Sequence, residues 1–146
     1  MISTPGLLLW IGAGVVLAAG LLRFAARGGA GRRRRVLAVG LMVAALVYVP
    51  FALAAGDMGQ LAVELAGVAV FAVPAFLGVR GSSRALAAGW VGHVLWDVGL
   101  HMVGPAYGPE WYAALCIGFD LVVAASWRPR TGWQARERQT RQAYHE

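Results

Sequence analysis

Apolar residues dominate the chain in five long stretches, which are separated by short polar or Gly/Pro-rich connections. A helix that crosses the hydrocarbon layer needs about 20 mainly apolar residues, and each stretch is close to this length. The stretches cover residues 5–26, 36–55, 58–79, 84–103 and 110–127. This pattern predicts an all-α integral membrane bundle of five transmembrane helices, which occupies residues 1–127.

The overall composition agrees with a membrane protein. Of the 146 residues, 59% belong to the apolar set and 14% are charged, whereas soluble domains are about half apolar and a quarter charged. The mean hydropathy is +0.62. These values exclude a soluble enzyme and a disordered chain. Cys116 is the single cysteine, so an internal disulfide is excluded as well.

The basic residues predict an orientation in the membrane. All 13 are arginines, which lie in the first and third connections, at the helix ends beside them and in the C-terminal segment. Because basic residues in short loops stay on the cytoplasmic side, we expect the N-terminus outside and an Arg-rich cytoplasmic tail over residues 128–146. We expect these arginines to contact anionic membrane lipids rather than nucleic acid. The expected location is the bacterial inner membrane, with multiple passes.

Five ionisable side chains lie inside the predicted spans, where each costs about 2.5 to 3.5 kcal/mol unless it is paired or wetted. They are Glu64 in the third span, His93, Asp97 and His101 in the fourth, and Asp120 in the fifth. The three residues of the fourth span recur every fourth position, so they share one helix face. A rise of about 1.5 Å per residue puts His93 and Asp120 at the same depth and predicts that they contact. Glu64, Asp97 and His101 would lie above them in a funnel that opens outward, enclosed by the last three helices.

Aromatic residues accompany this cluster and form its predicted wall. An indole inside a span needs a partner for its N–H group, and an aromatic face can stabilise positive charge on a substrate. The predicted substrate-binding residues are Trp90, Trp96, Tyr112, Phe71 and Phe119.

The cluster predicts an intramembrane enzyme that uses acid/base chemistry on a lipophilic small molecule. A carboxyl group in an apolar pocket can hold a proton near neutral pH, and a neighbouring histidine can accept or return one. Isomerisation, cyclisation and epoxide opening fit this chemistry, with Asp97 and Asp120 as acids. His93 and His101 would act as bases or orienting groups, and Glu64 would stabilise charge. No cofactor is predicted for this reaction, and a homodimer is compatible with the short chain.

Three other interpretations stay open. The same five residues, His93, Asp97, His101, Asp120 and Glu64, could instead bind zinc or iron, with Cys116 as an additional soft ligand. The protein could also bind a hydrophobic ligand without catalysis, or the polar groups could only hold the helices together.

The segment Trp90-xx-His93-xx-Trp96-Asp97-xxx-His101 is followed, after a Gly/Pro turn, by Trp111-Tyr112 and Phe119-Asp120. This block resembles small bacterial multipass membrane proteins that have no assigned activity, and the resemblance implies no reaction. The size and predicted helix number also resemble the tryptophan-rich sensory protein family, but the sequence motifs of that family do not occur here.

Overall fold

The computed structural model describes residues 3–103 and 109–127, with the backbone alone for residues 101–103. Over these residues the chain is all-α, as predicted, and has no strand. The helices are α1 (Thr4–Ala26), α2 (Gly29–Ala55), α3 (Met58–Val79), α4 (Ser83–Val103) and α5 (Glu110–Ala125). The predicted tail and the side chain of His101 lie outside the described residues.

Three of these helices, α1, α2 and α3, are long and apolar enough to cross a membrane. In α4, which has 21 residues, the polar side chains of His93 and Asp97 lower the hydropathy. The 16 residues of α5 correspond to about 24 Å at 1.5 Å per residue, less than the hydrocarbon layer of about 30 Å. Three helices with the length and hydropathy of membrane spans support a membrane protein, and a crossing by α4 and α5 stays a prediction.

The second helix begins at Gly29, seven residues before the predicted apolar span. The arginine run that was expected in a loop is therefore helical, which agrees with the high helix propensity of arginine. Arg33 donates hydrogen bonds to the carbonyl oxygen of Ser126 at 3.1 Å and to its Oγ at 2.9 Å. The Arg33 guanidinium also lies 4.8 Å from the ring centre of Trp127. These contacts join the first turns of α2 to the end of α5.

The helices pack in an order that differs from the chain order. The first helix packs mainly against α5, the second mainly against α3, and α4 lies against both α5 and α3. At the crossing of α1 and α5, a Cβ atom at Gly14 would overlap the Leu115 carbonyl oxygen, and one at Gly118 would overlap the Ile11 carbonyl oxygen. Glycine at both positions lets the two backbones approach closely, which favours helix association in lipid.

A tight turn places α3 antiparallel to α2. Gly56 adopts φ +69° at the end of α2, a left-handed conformation that glycine accepts without strain. The side chain of Asp57 then accepts a hydrogen bond of 2.9 Å from the backbone N–H of Gln60 and caps α3. The cap fixes the start of the helix that carries Glu64.

The bundle is apolar outside and polar at its centre. Large aliphatic side chains face outward, including Val16 (71% exposed) and Leu95 (67% exposed). Glu64, His93, Asp97 and Asp120 are instead buried. An exposed apolar surface around buried ionisable groups is what a lipid environment favours, because charged groups in membranes face the bundle interior.

Candidate functional site

His93 on α4 and Asp120 on α5 form the centre of the buried polar cluster. Nδ1 of His93 lies 2.7 Å from Oδ2 of Asp120, and the exposed fractions of the two side chains are 0% and 1%. This is the contact that helix depth predicted. The distance is that of a strong, charge-assisted hydrogen bond, so this pair can share or exchange a proton.

Asp97 extends the pair along α4. Its Oδ2 lies 3.5 Å from Nδ1 of His93, one helical turn away, and the side chain is fully buried. Among the described residues, Oδ1 of Asp120 has no hydrogen-bond partner. Buried polar atoms are normally paired, so this oxygen at the centre of the bundle is positioned to contact a ligand, a water or an ion.

Two further helices contribute polar side chains to the cluster. The Tyr48 side chain on α2 lies near Asp97, and Glu64 on α3 is close enough to Asp97 for their charges to interact. Glu64 accepts a hydrogen bond from the side chain of Gln60, one turn earlier on α3. The structure therefore brings Glu64, His93, Asp97 and Asp120 together from three helices.

The predicted aromatic wall divides into three groups of residues. The ring centre of Phe71 lies 5.0 Å from that of His93 and 5.8 Å from that of Trp96, so these two aromatics cover the α3 side. Tyr112 instead stacks edge-on against Tyr48, with 5.5 Å between the ring centres. This contact closes the cluster toward the start of α5.

Trp90 and Phe119 form a separate contact, with their ring centres 5.8 Å apart. Trp90 is fully buried in the hydrophobic core, and its Nε1 has no partner in the described part of the chain. The structure places Trp90 behind the cavity wall rather than on a ligand surface.

A cavity of about 580 Å³ lies between α1, α2 and α5, and Asp120 forms part of its wall. Tyr112, Cys116 and Phe119 line the same space, whereas Phe71, Trp90 and Trp96 do not. This differs from the expected outward funnel within the last three helices. Glu64, His93 and Asp97 are buried, because Phe71, Trp96 and Tyr48 fill that region, and the open volume lies on the opposite side of Asp120.

Three side chains of the cluster could hold a metal ion. His93, Asp97 and Asp120 each offer one ligand atom, and these atoms all lie within 4.8 Å of one another. Zinc binds imidazole nitrogen and carboxylate oxygen, and a site with three protein ligands leaves a fourth position open for a water or a substrate. Glu64 is not part of this set, and the side chain of His101 lies outside the described residues.

Residues 9–133 match a protein family described as a family of unknown function, DUF6010. The chain belongs to the DUF6010 family. No curated protein and no solved structure matches this DUF6010 protein. The family assignment agrees with the resemblance to proteins without assigned activity, and it does not indicate which reaction the site would catalyse.

Some polar neighbours of the cluster were not among the predicted site residues of this DUF6010 protein. Gln60 lies four positions before Glu64, so helical spacing alone could have paired them. Tyr48 was recognisable only as an aromatic residue near the end of α2, and no spacing rule connects α2 to α4. Cys116, which the sequence offered only as an additional soft metal ligand, shares a face of α5 with Asp120 and lines the cavity.

Proposed function

We propose that this protein is a small intramembrane enzyme that uses His93 and Asp120 for acid/base chemistry on a lipophilic molecule. The observation that carries the proposal is the 2.7 Å contact between a fully buried imidazole and a carboxylate that itself borders an apolar cavity. A pair that only held helices together would not need to adjoin a volume of ligand size, which is about 300 to 1,000 Å³ for small-molecule sites.

The role of each residue follows from its position relative to the cavity. Asp120 lines the cavity, so it is the group that can give a proton to, or take one from, a bound molecule. His93 is the partner that accepts or returns this proton, and Asp97 stabilises the imidazolium form from the other side. Tyr112 and Phe119 border the cavity and can stabilise developing positive charge.

The reaction class is isomerisation, cyclisation or epoxide opening. In a double-bond shift, the acid protonates one alkene carbon and the base removes a proton from the carbon next to the other, so no oxidant is required. Ring closure through a protonated alkene also needs only one proton in and one proton out.

The proposal is tested by comparing the lipids of cells that express the wild-type protein, Asp120→Asn or the control variant Asp57→Asn. Asp57 caps α3 at the helix terminus and is not part of the cluster. We expect one pair of isomeric or hydrated species to differ between wild type and Asp120→Asn, and the Asp57 control to behave as wild type. Identical lipid profiles for the wild-type protein and Asp120→Asn would contradict the proposal.

A metal site is the second candidate function, and the close grouping of His93, Asp97 and Asp120 favours it. Bound zinc would polarise a substrate oxygen or activate a water for hydrolysis. Elemental analysis of the purified protein decides between the two. About one zinc or iron per chain that is lost in Asp97→Asn supports the metalloenzyme, and substoichiometric metal in the wild-type protein after dialysis against that metal contradicts it.

We further propose that all five helices cross a bacterial inner membrane, with the N-terminus outside and the C-terminal tail inside. The support is the arrangement of charge: eight described arginines lie at one end of the bundle, and one of them, Arg33, donates a hydrogen bond to Ser126, which follows the last residue of α5. The variant Met58→Cys in a Cys116→Ser background should react with an impermeant maleimide in intact cells, because Met58 is 72% exposed at the start of α3. Ser82→Cys in the same background should react only after lysis, and the reverse result would invert the topology.

The proposed partners are the lipophilic substrate and anionic membrane lipids at the arginine end, without nucleic acid. A homodimer stays a prediction that rests on the short chain of 146 residues, since a cavity of ligand size already lies within one copy. Light scattering in detergent, corrected for bound detergent, measures this directly.

A further inference from the structure

The cavity between α1, α2 and α5 carries a positive charge at one end. Arg35 lines it near the start of α2, and Asp120 lines it farther along. Between them the wall is almost entirely apolar, with aliphatic side chains such as Leu17, Leu21 and Val39. A long apolar groove with one cationic end matches an amphiphile that has one anionic headgroup.

The arginine end lacks an acidic counterpart within the described residues. Eight arginines are grouped there, and the described acidic residues lie elsewhere: Asp57 and Glu110 begin α3 and α5 at the opposite end, and Glu64, Asp97 and Asp120 lie inside the bundle. Consecutive helices run in opposite directions, so the starts of α3 and α5 lie at the end of the bundle away from the start of α2. Asp57 and Glu110 are therefore far from Arg35. An anionic headgroup would supply the missing charge, and Arg binds carboxylate and phosphate oxygens well because its planar guanidinium offers paired donors.

The distance along the groove between Arg35 and the polar cluster determines which part of a bound amphiphile would lie beside the cluster. Arg35 and Ala44 both line it and are nine residues apart on α2, which is about 14 Å of helix rise. The backbone of Ala44 faces His93, so the level of Ala44 marks the level of the cluster. A chain anchored at Arg35 would therefore pass Asp120 at its middle, well away from the headgroup.

We infer that this cavity binds a long-chain anionic amphiphile, with its headgroup at Arg35 and the middle of its chain beside Asp120. The assignment of a reacting group to the middle of the chain rests on the proposed acid/base function. The binding itself does not, because it depends on Arg35 and the shape of the groove. The substrate class is then a long-chain carboxylate or phosphate with a double bond or epoxide far from the headgroup.

The structure offers a variant that fills the groove and a control that does not. Gly40 lines the cavity, and a Cβ atom there would be in ordinary contact with Trp90, 3.4 Å from Cζ2. Gly40→Leu therefore places a side chain in the volume that the ligand chain would occupy. Gly20 on α1 has no atom within 4 Å of an added Cβ and does not line the cavity, so Gly20→Leu adds the same side chain to the lipid-facing surface.

The probe is dibromostearate, a long-chain carboxylate whose bromine atoms quench tryptophan fluorescence at short range, titrated into the full-length protein in a non-ionic detergent. We expect saturable quenching that is weakened about tenfold in Gly40→Leu and in Arg35→Gln, which corresponds to about 1.4 kcal/mol. Gly20→Leu and the exposed control Arg84→Gln should bind as the wild-type protein does. Replacing Trp90 by Phe should remove a large share of the quenching without changing the midpoint.

Charge recognition is tested separately with the uncharged methyl ester of the same probe. The ester should bind the wild-type protein about as weakly as the acid binds Arg35→Gln. Equal binding of acid and ester, equal effects of Arg35→Gln and Arg84→Gln, or quenching that never saturates would overturn the inference. Binding of the probe class without any turnover would support this inference and contradict the proposed reaction. Turnover of a neutral molecule, without binding of the acid, would support the proposed reaction and contradict this inference.

Discussion

Breaking the contact between His93 and Asp120 should reveal a large coupling energy. The perturbation is a double-mutant cycle with His93→Leu, Asp120→Leu and the double variant. Both side chains are buried and joined at 2.7 Å, so each single substitution leaves a partner group unpaired in the bundle interior. Removing one partner of a buried ion pair costs about 3 to 5 kcal/mol, whereas replacing both with apolar residues is often neutral.

The two single variants should not be equal. His93→Leu leaves both Asp97 and Asp120 without the imidazole, since Nδ1 lies 3.5 Å from one carboxylate and 2.7 Å from the other. We therefore expect His93→Leu to be more destabilising than Asp120→Leu. The double variant also leaves Asp97 without the imidazole, so it should stay destabilised rather than neutral. The coupling energy should therefore be about 2 kcal/mol, within the range of about 0.5 to 3 kcal/mol found for contacting residues.

The assay is unfolding in mixed micelles of dodecylmaltoside and sodium dodecyl sulfate, followed by far-ultraviolet circular dichroism. Ser126→Ala combined with His93→Leu is the control cycle, because Ser126 lies six residues after Asp120 on the chain, about 9 Å of helix rise. The control cycle should be additive. Additivity within about 0.5 kcal/mol in the His93–Asp120 cycle as well would refute the reasoning, since the two groups would then act independently.

Two further substitutions test how the bundle is built. Gly118→Ala should destabilise the protein by about 1 to 3 kcal/mol, the usual cost of overpacking, while Gly12→Ala, with no atom near an added Cβ, should leave the same micelle unfolding curve unchanged. Arg33→Ala should lower the free energy of unfolding by about 1 to 2 kcal/mol, because it removes two hydrogen bonds to Ser126, and Arg84→Ala should have little effect. Equal behaviour within either pair would contradict the packing described here.

The helices and the pairing of His93 with Asp120 could be predicted because both depend on simple periodicity. Apolar runs set the helices to within a few residues, except at α2, where the helical arginines lie outside any apolar run. Helix rise alone placed His93 and Asp120 at one depth, since α4 and α5 are consecutive in the chain. A contact between two consecutive helices can be predicted without knowing how the rest of the bundle packs.

The open volume could not be predicted in the same way. It lies between α1, α2 and α5, and its position depends on α1 packing against the last helix rather than on any local pattern. The close crossing at Gly14 and Gly118 determines that arrangement, and a glycine in one span does not indicate which other span it approaches. The position of Tyr48 beside the cluster could not be predicted for the same reason, because it depends on how α2 packs in the bundle.

The central claim is that His93 and Asp120 transfer protons to and from a molecule bound in the adjoining cavity. The most direct measurement is the incorporation of solvent hydrogen: purified protein is incubated in D₂O with lipids extracted from its host, and the lipids are analysed by mass spectrometry. For a double-bond shift or a cyclisation that begins with alkene protonation, we expect one long-chain species to gain carbon-bound deuterium with the wild-type protein, and not with Asp120→Asn or His93→Gln. Epoxide opening puts the proton on oxygen, so that reaction would instead show the mass gain of one water. Labelling of the same species by Asp120→Asn at the wild-type rate would contradict the central claim.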